Sequence, residues 1–202
     1  MIVLGLTGSI GMGKSTASAM LRRLGCPVHD ADAAVHRLLA KGGKAVALID
    51  RAFPGVVRDG AVDRPALGAR VFGDPAALKQ LEEILHPLVA ADRDRWLKGH
   101  AIRGTSVVVL DVPLLFETGG DAHCDYTIVV TAPRLIQTQR VLARPGMTPE
   151  KLSDIRARQM PEDEKRKRAD LVIWTSLGRA PVLRTLANTI RLLRSEQRIP
   201  QG

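Results

Sequence analysis

The sequence predicts an α/β fold: an open, parallel, five-stranded sheet with helices on both faces, a helical insertion and an arginine-rich helical lid. Three observations carry this expectation. Short, continuously apolar runs, as strands buried on both faces require, alternate with stretches of helical periodicity. The first run leads through a glycine-rich turn directly into a helical pattern. Residues 41–104 depart from the alternation and read as helical pieces punctuated by glycine and proline.

Taken in order, Ile2 to Leu6 is the first strand. Residues 15–24 form a helix with Met20, Leu21 and Leu24 on its apolar side, and Gly25 ends it. Pro27-Val28-His29 is a short second strand that delivers Asp30-Ala31-Asp32 to its carboxyl end, and residues 33–40 return to a helical pattern. In the insertion, Gly42-Gly43, Pro54-Gly55, Pro65 and Gly73-Asp74-Pro75 break the helices. Leu78, Leu81, Ile84 and Leu85 recur at helical spacing up to His86-Pro87, after which another helix runs to about Lys98. Val107–Val112 and Tyr126–Thr131 are the next strands. Pro133 precedes a helix anchored by Leu135, Ile136 and Leu142; residues 144–149 break it, and Thr148 caps a helix opening at Pro149. Leu171–Trp174 is the last strand, and residues 180–195 close with an amphipathic helix carrying Leu183, Leu186, Ile190 and Leu193. The expected division is a core of about 1–40, 105–135 and 168–202, a helical substrate-binding subdomain of about 41–104, and a lid of about 136–167.

The 202 residues suffice for one α/β domain with an insertion, and 45% hydrophobic content allows a sizeable core. Aromatic residues are only 3%, so that core is aliphatic, and binding of single-stranded nucleic acid by base stacking is disfavoured. A net charge of +9 and a pI near 10.2 point to an anionic partner, either nucleic acid or a substrate with several phosphates, unless the charge serves solubility alone. Cys26 and Cys124 form no CxxC pair or metal-like cluster, which suggests no zinc site and fits a reducing compartment. No signal peptide and no membrane-spanning run is expected.

Gly8-Ser9-Ile10-Gly11-Met12-Gly13-Lys14-Ser15-Thr16 fits GxxxxGK[ST], the phosphate-cradling P-loop. Its glycines let several backbone N–H groups face one phosphate chain. Lys14 suits the β- and γ-phosphates of ATP, and the Ser15 hydroxyl suits Mg²⁺. Phosphoryl transfer also needs a carboxylate to align the acceptor hydroxyl. Asp32 is the candidate, Asp30 its rival, and either could instead cap a helix. Asp111 ends a buried strand, where it would support Mg²⁺ or serve as the turn residue before Val112-Pro113. Arg140 and Arg144 share a helix face, and Arg156 and Arg158 follow the breaker. Together they read as a lid over ATP phosphates or as a solvated basic face. Lys165-Arg166-Lys167-Arg168 reads as one solvated helix turn rather than a nucleic-acid patch. His86 suits a substrate contact and a local carbonyl equally.

The chain resembles the bacterial dephospho-CoA kinases. The resemblance rests on GLTGSIGMGKST (5–16), VHDAD (28–32), LEEILHPLV (81–89), DVPLLFE (111–117), Gln139-Arg140 through Arg156 and Gln159, and EKRKRADLVI (164–173), in family order. It implies phosphorylation of the ribose 3′-hydroxyl of dephospho-CoA by ATP, with the insertion as the CoA-binding subdomain. It implies Asp32 as general base, with Lys14 and Arg140 as its catalytic companions. It places Gly8 through Thr16, Arg144 and Thr175 at the nucleotide, and Ser15 and Asp111 at Mg²⁺. Thr7, Asp32, His36, Arg37, His86, Pro113 and Leu114 fall on the acceptor side. Two positions depart from the family pattern: His36, followed by Arg37, stands where an arginine is usual, and Thr175 where an asparagine is usual. The partners implied are ATP and dephospho-CoA, with no nucleic acid and no membrane, for a cytoplasmic monomer or small homo-oligomer. A kinase for a smaller acceptor is the main alternative, and such an acceptor would not need the insertion around His86-Pro87.

Overall fold

The computed structural model describes residues 1–196. In chain order its elements are β1 (Ile2–Thr7), α1 (Lys14–Arg23), β2 (Val28–Asp30), α2 (Ala31–Leu39), α3 (Val46–Ala52), β3 (Val57–Arg58), β4 (Ala61–Val62), α4 (Arg64–Val71), α5 (Pro75–Ile102), β5 (Val107–Asp111), β6 (Tyr126–Thr131), α6 (Arg134–Leu142), α7 (Pro149–Arg158), α8 (Glu162–Arg168), β7 (Leu171–Trp174) and α9 (Arg179–Glu196). The main sheet has the order β2-β5-β1-β6-β7, the expected open α/β sheet. β1 pairs in parallel with β5 and β6, and β6 with β7. Every residue of β5 is buried, which is why Val107 to Leu110 read as an unbroken apolar run.

The chain forms two compact units: Met1–His29 with the chain from His100 on, and Asp30–Gly99. The first has a core of Leu4, Leu6, Leu21, Val109, Ile128 and Leu186, with α1 packed on α9. The second has its own core of Leu38, Leu39, Ile49, Phe53, Val56 and Leu67. It starts at Asp30, ahead of the expected 41, because α2 contributes Leu38 and Leu39 to this second core.

Several local expectations are corrected. The helix expected to stop at His86-Pro87 continues through Pro87 as one 28-residue α5. A proline removes one helical hydrogen bond. The stripe of Leu81, Ile84, Leu85, Leu88 and Val89 packed on the second core keeps the helix going. A small antiparallel hairpin, β3–β4, was not expected. Asp59 and Gly60 make its turn with φ of 51° and 78°, the two left-handed residues of a type I′ turn that an Asp-Gly pair favours.

In α6, Leu135 and Leu142 lie seven apart on one side, and that side faces solvent; Gln137 and Val141 are buried instead. Ile136 is half-buried against the core. In α9 the buried stripe starts at Val182, not Leu183, and runs through Leu186, Ile190 and Leu193. Three of the four expected anchors are buried as read, and only the first is displaced, from Leu183 to its neighbour Val182.

Candidate active site

The P-loop links β1 to α1. Gly13 caps α1 at φ 96°, a left-handed conformation suited to glycine. A Cβ on Gly8 would come within 2.7 Å of the Val130 carbonyl oxygen, so the loop and β6 approach too closely for any side chain. No side chain caps α1, and its first turn holds no acidic residue. The N–H groups of Lys14 and Ser15 have no partner among the described residues, and with the positive end of the helix dipole they suit an anion. By contrast α2, α4 and α7 are capped by Asp30, Asp63 and Thr148.

Lys14 is the first residue of α1, and its Nζ lies 2.6 Å from Asp111 Oδ1. Asp111 ends β5 and is 3% exposed. Thr7, at the end of β1, donates its hydroxyl to the Pro113 carbonyl at 2.9 Å, joining two residues expected on the acceptor side. Leu114, next to Pro113 in sequence, is exposed. Ser15 is exposed at the second position of α1. Among the described residues no cluster of three or more His, Cys, Asp or Glu could hold a metal on its own. A hydroxyl and one carboxylate would suit a Mg²⁺ that takes its remaining ligands from water and phosphate.

Residues of α6, the end of α7, α8 and the end of β7 bond to the outer part of the P-loop. Arg140 of α6 donates to the Gly11 carbonyl at 3.4 Å, to Thr175 Oγ1 at 2.9 Å and to the Thr175 carbonyl at 3.0 Å. Thr175 Oγ1 in turn donates to the Met12 carbonyl at 2.8 Å. Thr175 thus ties together the P-loop, α6 and the end of β7. Ser9 donates to Glu162 Oε2 at 2.7 Å. The Ile10 N–H donates to Gln159 Oε1 at 3.2 Å, and Gln137 Nε2 donates to the Ile10 carbonyl at 2.9 Å. Met12 is buried, and its sulfur accepts from the Ala132 N–H. A cavity of about 530 Å³ opens beside this network, lined among others by Ser9, Met12, Gln137, Arg156 and Trp174.

Sequence reasoning did not single out Gln137 or Glu162. The signal for Gln137 was its place one helical turn before Arg140; Glu162 had none. Arg144 and Arg158 are exposed, whereas Arg156 turns inward onto Gln137 and Thr138.

The basic run 165–168 is not the solvated turn expected. Lys165 is fully buried, 2.7 Å from Glu117 Oε1. Arg166 lies over the Trp174 ring at 5.4 Å, and Arg168 lies over Phe116 at 4.7 Å while pairing with Asp121 at 2.8 Å. Only Lys167 matches the expectation, exposed and without a partner among the described residues. Burial pushes the Glu117 carboxyl upward, but Lys165 and the Met160 N–H outweigh it, and the group is held below its usual range.

In the second unit, Asp30 and Asp32 take different parts. The Asp30 carboxylate accepts the Ala33 N–H at 3.0 Å and caps α2. Asp32 is exposed in the first turn of the helix and makes no hydrogen bond or ion pair among the described residues. His36 Nδ1 lies 3.3 Å from Arg64 Nη1, and Arg37 pairs with Asp92 at 2.8 Å. His86 is exposed on α5.

A P-loop with its lysine, a buried carboxylate at the end of the neighbouring strand and an open parallel sheet flanked by helices define a P-loop kinase. The family profile of the dephospho-CoA kinases matches residues 2–178, and the chain belongs to that family. It is 68% identical over 167 residues to the dephospho-CoA kinase of Paramagnetospirillum magneticum, covering 82% of this chain and 78% of that one. To the Rhodospirillum rubrum dephospho-CoA kinase it is 56% identical over 196 residues, covering 96% and 92%. A solved protein of Thermus thermophilus superposes with a TM-score of 0.80 at 40% identity, covering 95% of this chain and 96% of that one. The solved Campylobacter jejuni dephospho-CoA kinase shares the fold at a TM-score of 0.66 and 22% identity, covering 95% and 96%. The chain is an ATP-dependent kinase of CoA biosynthesis.

Proposed function

We propose that the chain transfers the γ-phosphoryl group of ATP to the ribose 3′-hydroxyl of dephospho-CoA, with Asp32 as the general base. The family match over residues 2–178 carries this reading. Asp32 is favoured over Asp30 because Asp30 spends its carboxylate on the α2 cap while Asp32 is exposed and unpartnered among the described residues. A carboxylate in that state can accept a hydroxyl proton without first breaking a structural bond.

Gly8 through Thr16 cradle the nucleotide phosphates, and Lys14 exchanges its bond to Asp111 for phosphate oxygens. Ser15 and Asp111 are the residues that would hold Mg²⁺, which when bound neutralises phosphate charge. Arg140 and Thr175 shape the nucleotide site, and Arg144, exposed just past the end of α6, serves the nucleotide from there. Residues 41–104 form the CoA-binding subdomain and 136–167 the lid. Thr7, Pro113, Leu114, His36, Arg37 and His86 serve the acceptor. Arg37 is held by Asp92 rather than standing free, so its part is to shape the surface around His36.

The protein acts in the cytoplasm as a monomer or small homo-oligomer. No described helix is long and apolar enough to cross a membrane.

A coupled ADP-release assay tests the reading, with dephospho-CoA set against nucleosides, nucleoside monophosphates and shikimate. ADP release dependent on dephospho-CoA supports it. Turnover with another acceptor and none with dephospho-CoA overturns it.

A further inference from the structure

We propose that Gln137 and Gln159 are positioning residues of the nucleotide site: two side-chain amides from the lid helices hold both polar groups of Ile10 and keep the P-loop in its phosphate-receiving shape. The proposal rests on the P-loop being the ATP site. Ile10 sits between Gly8 and Gly11, in a stretch where Gly11 and Gly13 adopt φ of 76° and 96°. A backbone this permissive has many alternative shapes. The loop's own backbone gives Ile10 no hydrogen-bond partner among the described residues. Its N–H goes to Gln159 Oε1 at 3.2 Å and its carbonyl receives Gln137 Nε2 at 2.9 Å.

The orientation of Gln137 is fixed. Its side chain is buried, the residue being 4% exposed, and Oε1 accepts from Arg156 Nε at 3.0 Å and Nη2 at 2.7 Å. A guanidinium can only donate, so it selects the amide orientation that turns Nε2 toward Ile10. Arg156 and Gln159 both belong to the end of α7, while Gln137 is on α6. One residue of the loop is therefore held from two helices. These bonds reach Ile10 and stop short of Lys14, Ser15 and Thr16, so they act on the shape of the cradle rather than on phosphate.

If the loop loses this bracket, only part of the population keeps the receptive shape, and apparent affinity falls by that fraction. A competent fraction of about one tenth gives about a tenfold weaker Kd for ATP. Methionine nearly matches glutamine in shape and offers no comparable hydrogen bond. Glutamate at 159 keeps an acceptor for the Ile10 N–H. Glutamate at 137 keeps the acceptor for Arg156 but sets an oxygen against the Ile10 carbonyl.

The experiment is ATP titration without acceptor, followed by KM for ATP and for dephospho-CoA. Gln159→Met and Gln137→Glu are expected to weaken ATP binding about tenfold, with the dephospho-CoA KM unchanged and Gln159→Glu close to wild type. Equal increases in both KM values, or Gln159→Glu as damaging as Gln159→Met, would overturn the proposal. Should Gln137→Glu fail to fold, the Gln159 pair decides alone. Lys14→Ala separates the two layers. Undiminished ATP affinity in that variant removes the P-loop reading. Lost affinity there, with wild-type affinity in Gln159→Met and Gln137→Glu, removes only the bracket.

Discussion

Replacing Lys165 with methionine tests how α8 is anchored to the segment after β5. Lys165 is completely buried, and the carboxylate of Glu117 lies 2.7 Å from its ammonium, with 16% of that side chain exposed. Methionine fills most of the same volume, so the loss is mainly electrostatic. Removing one partner of a buried pair costs about 3–5 kcal/mol because the other charge stays behind. Glu117 retains the Met160 N–H at 2.9 Å and some solvent, which places the expected cost at the lower end, about 3 kcal/mol. At about 2–4 °C per kcal/mol for a chain of this size, Tm falls by about 6–12 °C near neutral pH.

The pH dependence identifies the cause. In the wild type the Glu117 carboxyl is held below its ordinary value of 4.5, so its contribution is complete above that value and is lost as pH falls through the lower folded value. In Lys165→Met the burial that raises the carboxyl is no longer outweighed by lysine. The folded state of the variant then gains stability on protonation, and the gap in Tm between the two proteins closes on acidification. Thermal melts between about pH 4 and pH 8 read this directly. Lys165→Met combined with Glu117→Gln removes the stranded charge and is expected to recover most of the loss. A gap independent of pH, with no recovery in the double variant, would refute the electrostatic account and leave packing as the cause.

Asp32→Asn is expected to bind ATP normally and lose turnover by at least about a hundredfold, as measured by ADP release; near-normal turnover removes Asp32 as the base. Gly8→Ala drives a Cβ against the Val130 carbonyl, which cannot move without shifting β6. Its expected cost is about 1–3 kcal/mol with loss of ATP binding, read by melting and by nucleotide titration. Pro87→Ala restores a hydrogen bond inside α5 at an exposed position and is expected to raise Tm, since proline costs about 3 kcal/mol against alanine in a helix interior. A lower Tm would show that the proline ring itself stabilises this helix.

The sheet was legible because strands buried on both faces leave a signal that needs no partner: Val107 to Leu110 are apolar in sequence and all are buried. Helices were legible in extent and less so in orientation. Leu135 and Leu142 satisfy helical spacing as well as Gln137 and Val141 do, and periodicity alone does not say which pair faces inward. Tertiary demand settled it, since Gln137 is required inside to meet Ile10 and Arg156. The hairpin at Asp59-Gly60 was legible in principle, since Asp-Gly is a strong turn signal. It was hidden by strands of only two residues each, too short to show alternation.

The site divides in the same way. Gly8 through Thr16 could be read as a motif because their proposed chemistry depends on near neighbours in sequence. The partners of that motif depend on closure of the chain. Arg140 meets Thr175, 35 residues later, and Ser9 meets Glu162, 153 residues later. The run 165–168 shows why composition misleads here. Four successive basic residues resemble a solvated turn, yet successive helical positions point about 100° apart, so one of the four had to face the core. That residue was Lys165, and the sequence carried its partner, Glu117, inside a motif read for a different purpose. The two Asp residues after β2 make the complementary point. Asp30 and Asp32 are equivalent in composition and separated only by the place where α2 begins: the residue just outside the helix caps it, and the second residue inside makes no hydrogen bond or ion pair among the described residues.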